Sequence, residues 1–110
     1  MKNIQATPAL IGAALPDRDK VVSAVKVLRA VNHDLRQQIM ESLIESPNDR
    51  MSVTEIHIKL CIEQSAASQH LAILRRAGVV KTQREGKFIY YSINKDRIDL
   101  IGRVSSELAG

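Results

Sequence analysis

Between Ile62 and Gly78, polar side chains occur with the types and spacing needed to contact nucleic acid. At about 100° of rotation per residue in an α-helix, they fall within one arc of roughly 140°. Hydroxyl and amide groups can hydrogen-bond to base edges or phosphates, and an exposed alanine methyl can touch the methyl group of thymine. The opposite arc is apolar and must pack against protein. The residues of the polar arc are Gln64, Ser65, Ser68, Gln69, Ala72, Arg75 and Arg76.

This pattern is compatible with two structures, a helix that lies in a DNA groove and an ordinary amphipathic surface helix. The flanking segments must decide between them. His70 lies near the centre of the apolar arc, so we expect a packed, hydrogen-bonded residue rather than a phosphate contact. His33 lies at a junction earlier in the chain, where we expect a capping or surface residue.

Two β-rich runs follow this stretch, Val79–Arg84 and Lys87–Ile93, joined by Glu85-Gly86. Glycine permits the positive φ that a tight hairpin turn requires. Because Arg84 and Lys87 flank the turn, the hairpin would have a basic tip that can reach phosphates or the adjacent minor groove. A basic hairpin directly after a helix–turn–helix is typical of a winged helix.

Helical patterns precede the stretch. Apolar residues at three- and four-residue spacing predict a first helix over residues 17–31 and a second over residues 35–46. Ser52 and Glu55 match a capping box that starts a third helix over residues 53–60. A short connection separates this helix from the polar stretch, which predicts a helix–turn–helix pair.

Apolar stripes at both ends of the chain could meet a second subunit. Asn94 is a predicted N-cap for a last helix from Lys95 to about Ala109. Val22 and Val27 lie off the main stripe of the first helix, so we expect apolar surface on more than one side, covered either by a partner or by the chain itself. The main stripes are Val21, Ala24, Val25, Leu28 and Val31 in the first helix, and Ile98, Ile101, Val104 and Leu108 in the last.

Composition limits the class of protein. A chain of 110 residues with 45% hydrophobic content is one folded domain with a modest core. Its net charge of +4 is unevenly placed, since seven basic and two acidic residues between Arg75 and Arg97 give +5 there. Nucleic acid is the commonest partner for such a basic block. We expect a flexible arm over residues 1–16 and a DNA-binding and dimerisation domain over residues 17–110.

Cys61 is the only cysteine, which excludes an internal disulfide and indicates a reducing compartment. No stretch is long enough to span a membrane and no signal peptide is evident, so we expect a cytoplasmic protein. His57 could share a helix face with Cys61, but two ligands are too few for a closed metal site. The favoured prediction for Cys61 is a small buried hydrophobe, with a redox role as the alternative. Tyr90 and Tyr91 are consecutive in the second β-run, so their side chains should point to opposite faces. The sequence leaves open which of the two faces the body.

Three segments together resemble the ArsR family of small bacterial and archaeal winged-helix repressors. The most specific parts are Ser68-Gln-His-Leu71 and the Arg84-Glu-Gly-Lys87 tip, and the likeness covers nearly the whole chain. The segments are Val27–Met40, Ser65–Val80 and Arg84–Tyr91.

The resemblance implies a mainly α fold with a small β-hairpin, in the order α-α-α-α-β-β-α, and a homodimer on a pseudo-palindromic DNA operator. Gln64, Ser65, Ser68 and Gln69 would face bases or phosphates, and Arg84 and Lys87 would act from the wing. In the family, the repressor leaves DNA when a signal reaches it. The first and last helices would form the dimer interface through Val21, Val25, Leu28, Ile98, Ile101, Val104 and Leu108.

The chain departs from the metal-sensing members that it resembles. Their cysteine site would fall on Met51-Ser-Val53, which has no thiol, and the last helix has carboxylates but no histidine. We therefore expect no metal and no cofactor, and an unidentified small-molecule or redox inducer. The alternative function is a winged-helix module for protein–protein contact without sequence-specific DNA binding. We do not expect an enzyme, because no paired carboxylates, nucleophile–base set or phosphate-binding glycine loop is visible.

Overall fold

A computed structural model describes residues 17–99 of the chain. The predicted arm over residues 1–16 and most of the predicted last helix, with Ile101, Val104 and Leu108, lie outside these residues. Residues 95–99 are helical. The preceding elements are α1 (Arg18–Val31), α2 (Asp34–Glu45), a 3-10 turn (Pro47–Asp49), β1 (Met51–Ser52), α3 (Val53–Leu60), α4 (Gln64–Arg76), β2 (Val80–Glu85) and β3 (Phe88–Ile93).

Helix α1 has two apolar sides, as predicted. It begins where the Oδ1 atom of Asp17 accepts a hydrogen bond from the Asp19 amide at 3.3 Å. Val27, which the sequence pattern left off the main stripe, is a core residue, whereas Val25 and Leu28 are 39% and 49% exposed. The main stripe is therefore divided between the core and the surface. The buried side consists of Ala24, Val27 and Ala30.

Helix α2 begins at His33, whose Nδ1 atom accepts a hydrogen bond from the Leu35 amide at 3.1 Å. The capping role expected for His33 is confirmed. The core that α2 helps to build is aliphatic, and each fully buried side chain of this size contributes about 1.5–3 kcal/mol. Its fully buried members are Val27, Ile39, Leu43, Ile56, Leu71, Leu74 and Val79.

The sheet has three antiparallel strands in the order β1-β3-β2. Strand β1, which the sequence did not predict, pairs Met51 with Tyr91 and Ser52 with Tyr90. The hairpin turn also differs by one residue from the prediction. Glu85 pairs with Phe88, so the loop is Gly86-Lys87 and not Glu85-Gly86. Gly86 has a φ of 62° there, consistent with the expected role of glycine.

Two predicted helix boundaries are confirmed. Gly78 follows α4 with a φ of 80°, the left-handed conformation that ends helices. The Oδ1 atom of Asn94 accepts a hydrogen bond from the Arg97 amide at 3.4 Å and caps the last helical segment. Within residues 17–99, no helix has both the length and the apolar character needed to cross a membrane.

Candidate nucleic-acid interface

The capping box at the start of α3 is present as predicted. The Ser52 hydroxyl accepts a hydrogen bond from the Glu55 amide at 3.2 Å, and the Glu55 carboxylate accepts one from the Ser52 amide at 2.9 Å. Helix α3 packs against α4, with Ile56 fully buried between them and the rest of the core. The two helices form the helix–turn–helix pair that the spacing of the sequence predicted.

The turn between α3 and α4 corrects the prediction for Cys61. The residue is exposed rather than buried, because it has left the helix in a left-handed conformation with a φ of 56°. Its thiol is 3.8 Å from the Ile58 carbonyl. The Nδ1 atom of His57 instead lies 3.2 Å from the carbonyl oxygen of Ile62 and donates to it across the turn. His57 and Cys61 therefore do not share one helix face.

Helix α4 presents the predicted polar arc to solvent. Six of its residues are exposed and Ala72, in the middle of the arc, is half-buried. On the opposite side Ala67, Leu71 and Leu74 have no solvent-exposed surface. We call the outward arc the polar strip, and it consists of Gln64, Ser65, Ser68, Gln69, Ala72, Arg75 and Arg76.

His70 anchors α4 from its inner side, as expected. It is half-buried, its ring centroid lies 4.7 Å from that of His33, and its Nδ1 atom lies 3.4 Å from Nη1 of Arg36. Because a guanidinium can only donate, this Nδ1 atom is the acceptor and carries no proton. Burial lowers the pKa of His70, and the neighbouring His33 and Arg36 lower this pKa further. The imidazole therefore contributes to packing as a neutral ring.

The wing holds two exposed cations at its end. Arg84 lies on β2 and Lys87 lies in the hairpin loop, and both are exposed. The sequence pattern placed Lys87 at the start of the second strand, whereas in the structure it lies in the loop at the tip. Exposed cationic side chains of this length can contact the phosphates of a nucleic acid.

An ion pair holds the wing to the body. The Arg50 guanidinium bonds both carboxylate oxygens of Glu85, with Nη2 to Oε1 at 3.1 Å, and its Cζ atom lies 4.2 Å from the centroid of the Tyr90 ring. The hydrogen bond from Arg50 holds the pKa of Glu85 below its usual range and raises the pKa of Arg50. Glu85, which interrupts the basic tip in the sequence, is therefore engaged with Arg50.

The two tyrosines of β3 have different roles. Tyr91 packs against the hydrophobic core, whereas Tyr90 points to the other face, where Arg50 covers it. Sequence reasoning did not single out Phe88, which is 53% exposed beside the tip, with Lys87 Nζ 5.9 Å from its ring centroid. Its alternation with Tyr90 along β3 could have indicated that it lies on the outer face.

Metal ligands do not converge in the part of the chain that the structure describes. Across residues 17–99, no group of three or more His, Cys, Asp or Glu side chains is placed to hold an ion. The groups that are exposed on α4 and at the end of the wing are instead polar and cationic.

A helix–turn–helix with an outward polar strip, followed by a basic β-hairpin, defines the winged-helix class of DNA-binding proteins. The family model described as bacterial regulatory protein, arsR family, matches residues 33–82, from the cap of α2 into β2. The chain belongs to this family, and it is a DNA-binding transcriptional regulator. The resemblance seen in the sequence is therefore confirmed.

Relatives and solved structures agree with this assignment. The transcriptional activator HlyU of Vibrio cholerae is 38% identical over 85 residues, covering 74% of this chain and 76% of that protein. The biofilm growth-associated repressor of Agrobacterium fabrum is 36% identical over 84 residues, covering 76% and 69%. The crystal structure of the repressor PagR of Bacillus anthracis superposes with a TM-score of 0.67 at 30% identity, covering 81% of this chain and 97% of that one.

Proposed function

We propose that this chain is a homodimeric, sequence-specific repressor that binds a pseudo-palindromic operator in the cytoplasm. The observation that carries the proposal is the polar strip, exposed along α4 while Leu71 and Leu74 fix the opposite side in the core. A helix held in this way can enter a major groove and present its side chains to base edges with little freedom.

In this proposal the two parts of the interface contact different parts of DNA. Gln64, Ser65, Ser68 and Gln69 contact bases and nearby phosphates from α4, and Ala72 offers a methyl group to thymine. The charged residues Arg75, Arg76, Arg84 and Lys87 contact phosphates. Phosphate contacts fix the position of the protein, and base contacts provide the sequence preference.

The outward side of α1 supports the dimer. Val22, Val25 and Leu28 form an exposed apolar stripe at helical spacing, next to the half-buried Val21. The sequence provides a matching stripe in Ile98, Ile101, Val104 and Leu108, of which Ile98 is half-buried and also packs against the core of its own chain. Two copies that bury these stripes together would place two α4 helices about one helical turn of DNA apart.

The proposed output is repression, relieved by a small-molecule or redox inducer. Among the relatives, HlyU is named an activator, whereas PagR and the Agrobacterium protein are named repressors. Cys61 is exposed three residues before α4 begins, where modification of a thiol would lie beside the DNA-contacting residues. We propose it as a candidate redox position, with no metal or cofactor involved.

Selection of bound fragments from the host genome tests the central proposal. We expect enrichment of sites with two inverted half-sites about 10 base pairs apart, near the start of a regulated gene. Competition with random duplex at physiological salt provides the control. Equal affinity for selected and random duplex would contradict the proposal and favour a protein–protein module.

The dimer is tested by light scattering on matched surface variants. Leu28→Glu places a charge in the exposed stripe of α1, and we expect it to give a monomer that binds single half-sites weakly. Ile58→Glu is the control, because Ile58 is 64% exposed on α3 and is not among the residues of the proposed interface. A dimeric Leu28→Glu variant would show that another surface joins the subunits.

A further inference from the structure

A cleft beside α4 is lined by positive side chains from three different helices. Its volume is about 410 Å³, and its floor is apolar. We call it the basic cleft. Its cations are Lys26 and Arg29 from α1, Arg36 from α2 and Arg76 from α4, and its floor consists of Ala30, Ile73 and Ala77.

The charges of the basic cleft are unbalanced within the described residues. No acidic side chain of residues 17–99 lines it. The ion pairs formed within residues 17–99 are Arg50–Glu85 and Lys59–Glu45, neither of which involves a cation of the cleft. Four like charges that face one space repel each other, and an anion bound between them would relieve this repulsion.

Arg36 gives the cleft a fixed donor. Its Nε atom donates to the carbonyl oxygen of Ala30 in the last turn of α1, and its Nη1 atom lies 3.4 Å from Nδ1 of His70. A guanidinium has five N–H groups, so donors remain for a ligand after these contacts. The planar arrangement of these donors matches two oxygens of a phosphate better than a single point charge would.

We propose that the basic cleft binds the oxyanion of a phosphate group. Arg36 would supply the fixed donors, and Lys26, Arg29 and Arg76 would close around the remaining oxygens. The apolar floor would accept the carbon skeleton of a phosphorylated small molecule, because the cleft is larger than one phosphate. Arg76 belongs to both the polar strip and the cleft, so the phosphate could equally be one in the DNA backbone beside α4.

Calorimetric titration of the full, DNA-free chain with pyrophosphate tests the site without relying on the proposed function. The double variant Lys26→Gln, Arg29→Gln removes two cations that make no hydrogen bond to protein within residues 17–99. The matched control is Arg18→Gln, Lys20→Gln, which removes the same charge from the same helix outside the cleft. Sodium chloride at equal ionic strength controls for screening.

We expect the wild type and the control to bind pyrophosphate alike, and the cleft variant to bind about tenfold more weakly or not at all. An unchanged denaturation midpoint would show that the variant is folded. Equal pyrophosphate affinity in the cleft variant and its control would overturn the proposal, as would a wild type that shows no saturable binding.

The source of the phosphate is tested on the selected operator. If the cleft holds a backbone phosphate, the slope of log affinity against log salt falls by roughly 0.9 for each phosphate that the cleft variant no longer neutralises, but not in the control. If the source is a small molecule, this slope is the same in both variants while pyrophosphate binding still depends on Lys26 and Arg29. Both results support an oxyanion site, and they assign different sources to it.

Discussion

Helix α4 and the wing expose comparable polar and cationic groups, but the fold supports them differently. The inner side of α4 is closed by Ala67, Leu71 and Leu74, none of which has solvent-exposed surface. In the wing, Gln83 through Ile89 are exposed on both faces of the hairpin. The polar groups of α4 are therefore backed by buried side chains, whereas those at the wing tip project from a hairpin segment with no buried residue between Gln83 and Ile89.

This difference separates specificity from affinity. Base edges distinguish sequences only when donors and acceptors are held in register, which a packed helix provides. Phosphates repeat along the backbone and tolerate displacement, so exposed cations on a hairpin are sufficient for them. We therefore expect changes on the buried side of α4 to alter stability, changes in its polar strip to alter sequence preference, and changes in the wing to alter mainly salt-dependent affinity.

The largest expected difference between α4 and the wing is in their contribution to the free energy of unfolding. Leu71→Ala leaves a cavity under α4 and should lower the free energy of unfolding by about 2–5 kcal/mol. Phe88→Ala, an equally apolar truncation in the wing, should change it by less than about 0.5 kcal/mol because the ring is 53% exposed. Urea denaturation measures both, and a wing variant as unstable as the helix variant would remove the distinction.

The next contrast concerns sequence preference. Ser68→Ala and Gln69→Ala should each cost on the order of 1–3 kcal/mol of operator affinity and relax the preference at the contacted base pair. Folding should be unaffected, since both side chains are exposed. Binding to a panel of operator variants measures the effect, with the exposed Gln38 of α2 changed to alanine as the control. An unchanged preference would assign these residues a structural role.

A smaller effect is expected from the wing. Arg84→Ala with Lys87→Ala should lower the slope of log affinity against log salt by roughly 0.9 for each phosphate that the wing no longer neutralises, with the base preference retained. The double variant Arg18→Ala, Lys20→Ala removes equal charge from α1 instead of the wing and serves as the control. If the wing variant changes the base preference, the wing also reads sequence.

The smallest effects concern pH. Because the pKa of His70 is lowered from 6.5, its neutral form stabilises the fold above that pH, and this contribution is lost as the pH falls below it. Because the pKa of Glu85 is lowered from 4.5, its ion pair with Arg50 stabilises the wing above that pH and is lost only under more acidic conditions. As the pH falls, the stabilisation by neutral His70 on α4 should thus be lost before the ion pair between Glu85 and Arg50 that holds the wing.

Denaturation midpoints from about pH 8 to about pH 5, with and without His70→Gln, measure the pH-dependent contribution of His70 to stability. Amide exchange at Gly86 in the Glu85→Gln variant measures the contribution of the Glu85–Arg50 ion pair to the wing. We expect the histidine variant to flatten the pH profile, and the Glu85 variant to raise exchange at the tip without moving the global midpoint. A pH profile that is unchanged in His70→Gln would show that another group titrates.

Features with local signals were predictable from the sequence. The capping box of Ser52 and Glu55, the glycine that ends α4 and the polar strip each depend on spacing within one element, and the structure contains all three. The role of His70 followed from its place on the apolar arc. The family assignment rested on motifs in the same segments.

Features without a spacing pattern or motif in the sequence were not predictable. Cys61 has apolar character, but its exposure follows from the left-handed turn that α3 requires before α4. Strand β1 contains only two residues, too few to show alternation, and exists because it pairs with β3. The ion pair from Arg50 to Glu85 joins residues 35 positions apart, and no periodicity in the sequence relates them.

Strand β1 also limits how the length of this chain can vary. Met51 is buried and pairs with β3, and the next residue, Ser52, already caps α3. A residue inserted between them would either turn the Met51 side chain to the opposite face or break the pairing of Ser52 with Tyr90 and shift the start of α3. The Gly86-Lys87 loop is exposed and neither fills the core nor caps a helix. We therefore expect insertions to be tolerated at the hairpin tip and to destabilise the fold at β1.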